Sequence, residues 1–403
     1  MSILSGKKVL LGITGGIAAY KSTYLIRHFI KEGAEVKVVM TENAKNFVTP
    51  LTLSTLSKNP VITSFVDEED ENAMWNNHVD LALWADLMVI APATANTLSK
   101  MANGVCDNVL LATYLSAKCP VYYAPAMDLD MYKHKSTLQT FETLTRYGNT
   151  MIPAEHGELA SGLVGEGRMA EPETIVAFIK EVILDTLPLR GKKVLITAGP
   201  TYEAIDPVRF IGNHSTGKMG FELAKQAADL GAEVQLISGP THLDIQHELI
   251  TITRVVNAQS MYDAVHRHYK LTDIAILSAA VSDYTPKNVA AKKIKKKETS
   301  LVIELEPTKD ILASLGNIKE KQYLVGFALE TDNEIENAKG KLTKKNLDAI
   351  VLNSLNDEGA GFGKPTNKVT FIDNELNIKP FELKTKKEVA EDIFNEILKR
   401  IHA

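Results

Sequence analysis

One arrangement is spelled out twice in this chain, and it restricts the fold to alternating strands and helices. Lys7-Lys8-Val9-Leu10-Leu11-Gly12-Ile13-Thr14-Gly15-Gly16 opens the first half, and Lys192-Lys193-Val194-Leu195-Ile196-Thr197-Ala198-Gly199-Pro200 opens the second. Each is a charged lead, a short apolar run and a glycine turn, followed by an amphipathic helix. A second strand then begins with the same four residue types, Gly33-Ala34-Glu35-Val36 in one half and Gly231-Ala232-Glu233-Val234 in the other. An apolar strand ending at glycines before a helix is a β-turn-α unit, whose helix N-terminus attracts phosphate through free N–H groups and the helix dipole. Two such units imply two active sites.

A chain of 403 residues exceeds one ordinary core, so two domains of about 150–200 residues each are expected. The proline- and glycine-bearing segment 186–191 reads as the linker, which gives domains 1–187 and 188–403. In the first, strands are expected at 9–13, 36–40, 87–91 and 121–124, with helices at 17–31 and 173–185. In the second, strands are expected at 194–197, 233–237, 274–278, 324–328 and 349–353, then a terminal hairpin from 368 turning at Asp373-Asn374, and a closing helix at 386–401. Strands alternating with helices make the fold class α/β: two Rossmann-like domains with mainly parallel sheets and ligands at the C-terminal strand ends.

Composition removes several classes of function. A net charge of −5 argues against a nucleic-acid surface. No run of about 18 apolar residues is present to span a membrane, and no cleavable signal pattern precedes the first strand. Cys106 and Cys119 lack metal-ligand spacing. The expectation is a cytoplasmic protein without membrane or nucleic-acid partners.

Neither glycine turn fits Gly-x-Gly-x-x-Gly, and no acidic residue follows the second strand to hold a ribose, so a mononucleotide is favoured over NAD. Thr14-Gly15-Gly16-Ile17 suits one phosphate, although taken alone it serves equally as a plain strand–helix turn. Thr41-Glu42-Asn43 and the small polar cluster Ala93-Thr94-Ala95-Asn96 fall at the same sheet edge, which packing alone does not explain. His78 is a candidate base because it should approach that edge and because histidine titrates near neutrality, although a lone histidine is more often structural. In the second half, Gly212 to Lys218 satisfies Gly-x-x-x-x-Gly-Lys, but Met219 stands where a P-loop needs Ser or Thr. The run Lys292-Lys293-Ile294-Lys295-Lys296-Lys297 would, in isolation, be read as a solvated basic stretch.

Gly-Gly-Ile-Ala-Ala-Tyr-Lys, His78-Val79-Asp80-Leu81, Ala-Pro-Ala-Thr-Ala-Asn and Pro125-Ala126-Met127-Asp128-Leu129-Asp130-Met131 together resemble the FMN-dependent cysteine decarboxylase family. The second half resembles phosphopantothenate–cysteine ligases, and the chain end to end is similar to the bifunctional bacterial enzymes of coenzyme A biosynthesis. The resemblance implies a flavoprotein fold followed by a ligase fold. It also implies FMN held by Thr14, Gly15, Gly16, Ile17, Thr41, Ala93, Thr94 and Asn96, with His78 as active-site base.

Two positions depart from the family: Asp128 replaces an asparagine, and Ser161 replaces the flap cysteine expected to protonate the enethiolate. A serine hydroxyl is a far weaker acid than a thiol near pKa 8.5, so an altered proton route is expected. The alternative is an active ligase fused to a decarboxylase half that is impaired, stops at the enethiol or serves as a regulatory binding module.

For the ligase, the resemblance implies CTP with Mg2+, L-cysteine and 4′-phosphopantothenate, joined through an acyl-cytidylate. Asn213 corresponds to the residue acting on that intermediate, and Lys293 to the principal lysine of a flap over the triphosphate. Further CTP contacts correspond to Leu277, Ser278, Ala279 and Asp283, to Lys309-Asp310-Ile311-Leu312, and to Phe327, Lys341 and Lys345. Lys309 stands where the family usually has proline. Homo-oligomers, with trimeric flavin units and dimeric ligase units, are implied as well, and the flavin site would then borrow groups from a neighbouring subunit.

Overall fold

The computed structural model describes residues 2–66, 76–295, 301–354 and 363–401, which form two compact units, Met1–Asp185 and Thr186–Ala403. In the first, six parallel strands lie in the order Val61–Ile62, Glu35–Met40, Lys8–Ile13, Leu87–Ala93, Val121–Pro125 and Thr150–Met151. The central Leu87–Ala93 strand is buried along its whole length, as a parallel strand covered on both faces requires. Helix Ser22–Lys31 buries Ser22, Leu25, Ile26 and Phe29, the spacing of one helical face. Each such apolar side chain contributes about 1.5–3 kcal/mol on leaving water.

The second unit repeats the scheme and extends it. Ile250–Arg254, Glu233–Ser238, Lys193–Ala198, Ile274–Leu277, Tyr323–Glu330 and Ala349–Ser354 pair in parallel in that order. Val369–Asp373 and Ile378–Pro380 then add antiparallel strands. Helix Lys386–Ile401 buries Val389, Ile393, Phe394 and Ile397. Within the segment 186–191, Leu189 is fully buried and its N–H donates to Leu230 O, which anchors the segment to the second unit.

The repeated Gly-Ala-Glu-Val has a single cause in both units. Gly33 and Gly231 have φ of +86° and +92°, a left-handed conformation that ends the preceding helix and that glycine adopts without a Cβ penalty. The next residue's N–H then reaches back to Phe29 O or Ala227 O, both at 3.0 Å.

Two local expectations are corrected. The 17–31 helix begins as a tighter 3-10 turn, Ile17–Lys21, before the α-helix; Ser22 Oγ donates to Ala19 O at 2.6 Å there. The terminal hairpin does not turn at Asp373-Asn374 alone. Asp373 Oδ1 accepts the N–H groups of Glu375 and Asn377, at 3.1 and 2.9 Å, so the turn runs on and the next strand starts at Ile378. Lys296 and Lys297 of the lysine run lie outside the described residues.

Candidate active sites

In the first sheet the strand order reverses between Lys8–Ile13 and Leu87–Ala93, and a crevice opens beyond the strand ends at such a point. A cavity of about 720 Å³ lies among the loops that follow these strands. Its wall includes Gly15, Gly16 and Ile17, then Thr41 to Asn43, Thr94 to Thr97, and Ala126 to Asp128. The residues expected to hold FMN therefore converge, with two exceptions in detail. Thr14 is fully buried behind the wall: its Oγ1 donates to Pro92 O at 2.7 Å and accepts from Thr94 N at 3.0 Å, tying two loops together. Ala93 is also buried.

The wall suits a mononucleotide cofactor. A Cβ on Gly15 would stand 2.6 Å from Asn43 Cβ, so only glycine lets these loops meet. Thr41 Oγ1 is buried and has no hydrogen-bond partner among the described residues, although a buried hydroxyl normally has one. Lys21, nearly buried, lines the cavity while bonding Glu171 at 2.9 Å and Met169 O at 3.2 Å. Lys21, and Arg168 with it, holds the Glu171 carboxyl below its usual range.

The hairpin of Glu155–Glu158 and Val164–Arg168 forms one side of this cavity, contributing Glu158, Leu159, Ala160 and Gly167 to Met169. It is held at its base, where Met127 N donates to Gly167 O at 3.0 Å. Asp128 is on the wall. Ser161 is not: it is exposed at the hairpin tip, within a turn closed by Leu159 N donating to Leu163 O. His78 also lies outside the wall. It begins helix His78–Trp84, capped by the Asn77 side chain, and its half-buried ring stands edge-on to Phe65 at 5.8 Å.

In the second unit the loop after Ile274–Leu277 is stitched to the loop after Lys193–Ala198. Ala279 N donates to Thr197 Oγ1 at 3.1 Å, Ala280 N to Gly199 O at 2.9 Å and Ser282 N to Thr201 Oγ1 at 2.9 Å. Asn213 joins this frame, with Nδ2 donating to Ala280 O and Val281 O at 3.1 and 3.2 Å. A cavity of about 130 Å³ adjoins it, walled by Ser215 to Gly220, Ser278 to Ala280, Phe327 to Leu329, Asn353, Asn367 and Lys386.

Of the expected CTP contacts, only Ser278, Ala279 and Phe327 are on that wall. Leu277 and Ile311 are buried, and Leu312 packs towards Gly326. Asp283 and Lys293 are exposed. The remaining charges pair locally. Asp310 caps helix Ile311–Asn317 and bonds Lys345 at 2.8 Å, Lys341 bonds Glu330 at 2.6 Å, and Lys309 sits 4.8 Å from the centre of the Tyr262 ring. Burial opposes the charge on Asp310, but the Ala313 amide and Lys345 outweigh it and hold the carboxyl below its usual range.

Lys218, Asn353, Asn367 and Lys386 were not legible as site residues. Lys386 is 5% exposed, and burial together with the Lys218 charge pushes its ammonium below the usual lysine range. The available signal was a lysine in the first turn of a helix, where the dipole disfavours a cation. Among the described residues, no helix is long and apolar enough to cross a membrane.

Comparison with known proteins agrees with this division. The Flavoprotein family matches residues 2–184, and the DNA/pantothenate metabolism flavoprotein C-terminal domain matches residues 189–401. The chain is 55% identical over 360 residues to a cysteine/cysteine sulfinic acid decarboxylase from an unknown prokaryotic organism, covering 88% of this chain and 100% of that protein. It is 45% identical over 397 residues to the coenzyme A biosynthesis bifunctional protein CoaBC of Bacillus subtilis (strain 168), covering 98% and 97%. A crystal structure of the C-terminal domain of a coenzyme A biosynthesis bifunctional protein CoaBC is 45% identical, covers 54% of this chain and 99% of that one, and has a TM-score of 0.47. With a flavoprotein unit and a pantothenate-metabolism unit in one polypeptide, the chain belongs to the bifunctional coenzyme A biosynthesis family and is an enzyme with decarboxylase and ligase activities.

Proposed function

We propose that residues 188–403 activate 4′-phosphopantothenate with CTP as an acyl-cytidylate, which the amine of L-cysteine then attacks. Residues 1–187 decarboxylate the product to 4′-phosphopantetheine. The observation that carries the ligase reading is the composition of its cavity wall: Lys218 and Lys386 are present, and no carboxylate is present among the described residues. A small cavity with two ammonium groups and no acid suits a phosphate or phosphoryl ester. In this reading Asn213, which bonds Ala280 O and Val281 O, acts on the acyl-cytidylate, and Lys293 neutralises triphosphate charge. Asp283, Lys309, Asp310, Lys341 and Lys345 supply further nucleotide contacts. Mg2+ accompanying the triphosphate would neutralise part of its charge.

For the decarboxylase, the residues around the larger cavity fit FMN. Gly15, Gly16, Thr94 and Asn96 would hold its phosphate end, and the Thr41 hydroxyl offers a further bond. When bound, FMN supplies the two-electron oxidation and return that loss of carbon dioxide beside a thiol-bearing carbon requires. The chain's residues position the cysteinyl end between Asp128 and the hairpin, and His78 moves a proton. Because His78 lies outside the cavity wall of its own chain, a homo-oligomer in which a second copy completes the site fits best, with trimeric flavin units and dimeric ligase units. Both reactions are assigned to the cytoplasm.

A second reading is favoured by Asp128. A carboxyl group on the wall can pair with the ammonium of free cysteine, which is an uncharged amide nitrogen in phosphopantothenoylcysteine. The 55% identical relative is named for cysteine decarboxylation.

The nucleotide assignment is tested by pyrophosphate release with phosphopantothenate present. It should be at least about tenfold faster with CTP than with ATP, the scale of one or two hydrogen bonds matched to the correct base. Equal rates would remove the cytosine contacts assigned here.

A further inference from the structure

Residues 290–294, which carry Lys292 and Lys293, bond a hairpin of the ligase unit. Strands Tyr202–Ala204 and Phe210–Gly212 pair antiparallel, and Tyr202 and Phe210 stack at 3.8 Å across them. Ile205 to Arg209 form the tip, closed by Ile205 N donating to Arg209 O at 2.8 Å. This tip grips the run on both sides of Lys292 and Lys293. Ala290 N donates to Ile205 O at 3.0 Å, Ile294 N donates to Asp206 Oδ2 at 3.1 Å, and Arg209 Nη1 donates to Ile294 O at 3.2 Å. Lys292 and Lys293 remain exposed between these points.

Asp206 is the centre of the arrangement, and its two oxygens have separate tasks. Oδ1 accepts from the N–H groups of Val208 and Arg209, at 2.8 and 2.9 Å, and so shapes the tip. Oδ2 accepts from Arg209 Nη1 at 2.7 Å and from Ile294 N, and so ties the run to the tip. The side chain is fully buried. Burial opposes its charge, but the amides of Ile294, Val208 and Arg209 more than offset that and hold the carboxyl below its usual range. The hairpin's second strand ends at Gly212, so the next residue is Asn213, itself bonded to Ala280 and Val281. One short element therefore holds both residues assigned to ligation chemistry.

We propose that Asp206 is a positioning residue for ligation: it tethers the lysine run to the Tyr202–Gly212 hairpin and thereby sets where Lys293 meets the nucleotide. The proposal rests on the reading of Lys293 as a nucleotide contact. Its geometric half, the tether, does not.

Asp206→Asn in the full-length enzyme separates the two tasks, because an amide can still accept from the tip while presenting N–H groups to Ile294 N and Arg209. Ile294→Pro removes the same bond from the other side and leaves Asp206 intact. In both variants, brief trypsin treatment should cut after Lys292 or Lys295 about tenfold faster; the bond after Lys293 is not read, because Ile294→Pro makes it resistant to trypsin. The KM for CTP should rise about tenfold while kcat changes less, the scale of one lost charge-assisted hydrogen bond. Decarboxylation of supplied phosphopantothenoylcysteine should stay at the wild-type rate, and the kcat retained for ligation shows that the substituted unit is folded. Unchanged cutting in both variants would overturn the tether while leaving the role of Lys293 standing. Faster cutting with an unchanged KM would overturn positioning. A Lys293→Gln enzyme that ligates normally would instead sink the nucleotide reading, and with it the role of Asp206 in ligation.

Discussion

His78→Asn should lower carbon dioxide release from phosphopantothenoylcysteine by about 10²–10⁴-fold, the span usual for losing a positioned acid–base group. Asparagine keeps hydrogen-bonding capacity but does not titrate near neutrality. The substitution leaves the local fold in place, because the helix that starts at residue 78 is capped by Asn77, whose Oδ1 accepts from Val79 N at 3.0 Å. Flavin colour should also survive, since His78 is not among the groups assigned to hold FMN. Ligation, assayed as pyrophosphate release, should be unchanged. A variant that keeps its colour and decarboxylates near the wild-type rate would remove His78 from the reaction.

Asn213→Asp should have the opposite effect, with ligation falling by about 10²–10³-fold, the scale of disturbing one preorganised polar group beside a reacting acyl centre. Asn213 Nδ2 donates to two carbonyl oxygens, Ala280 O and Val281 O. A carboxylate there would set negative charge against two acceptors, leave both unpaired and repel an anionic acyl-cytidylate. Supplied phosphopantothenoylcysteine should still lose carbon dioxide at the normal rate. Loss of both half-reactions in a folded variant would show that the two sites are not independent.

Much of this was legible in the chain itself, for identifiable reasons. Strands covered on both faces leave unbroken apolar runs, so Lys8–Ile13, Leu87–Ala93 and their counterparts read directly. A ligand edge at the C-terminal strand ends followed from the alternation of strands and helices, and Gly15, Thr41, Thr94 and Asn96 meet on one wall there. Short hairpins were not legible. Tyr202–Gly212 has no two-residue Asn-Gly turn, and its tip is built instead by the Asp206 carboxyl. Site residues supplied from distant elements were hidden as well. Lys386 and Asn367 join the second cavity only because the terminal strands fold back onto Ala349–Ser354, and no local pattern announces that. Asp128 and Ser161 were both noticed as departures, yet only the structure separates them, placing Asp128 on the cavity wall and Ser161 at an exposed tip.

The central claim is that one polypeptide ligates and then decarboxylates the same substrate. Mass spectrometry of products from purified enzyme given 4′-phosphopantothenate, L-cysteine and CTP tests it most directly. The account predicts 4′-phosphopantetheine with one pyrophosphate released per turnover, and accumulation of phosphopantothenoylcysteine when His78→Asn is used instead. Cysteamine formed from free cysteine, without 4′-phosphopantetheine, would contradict it.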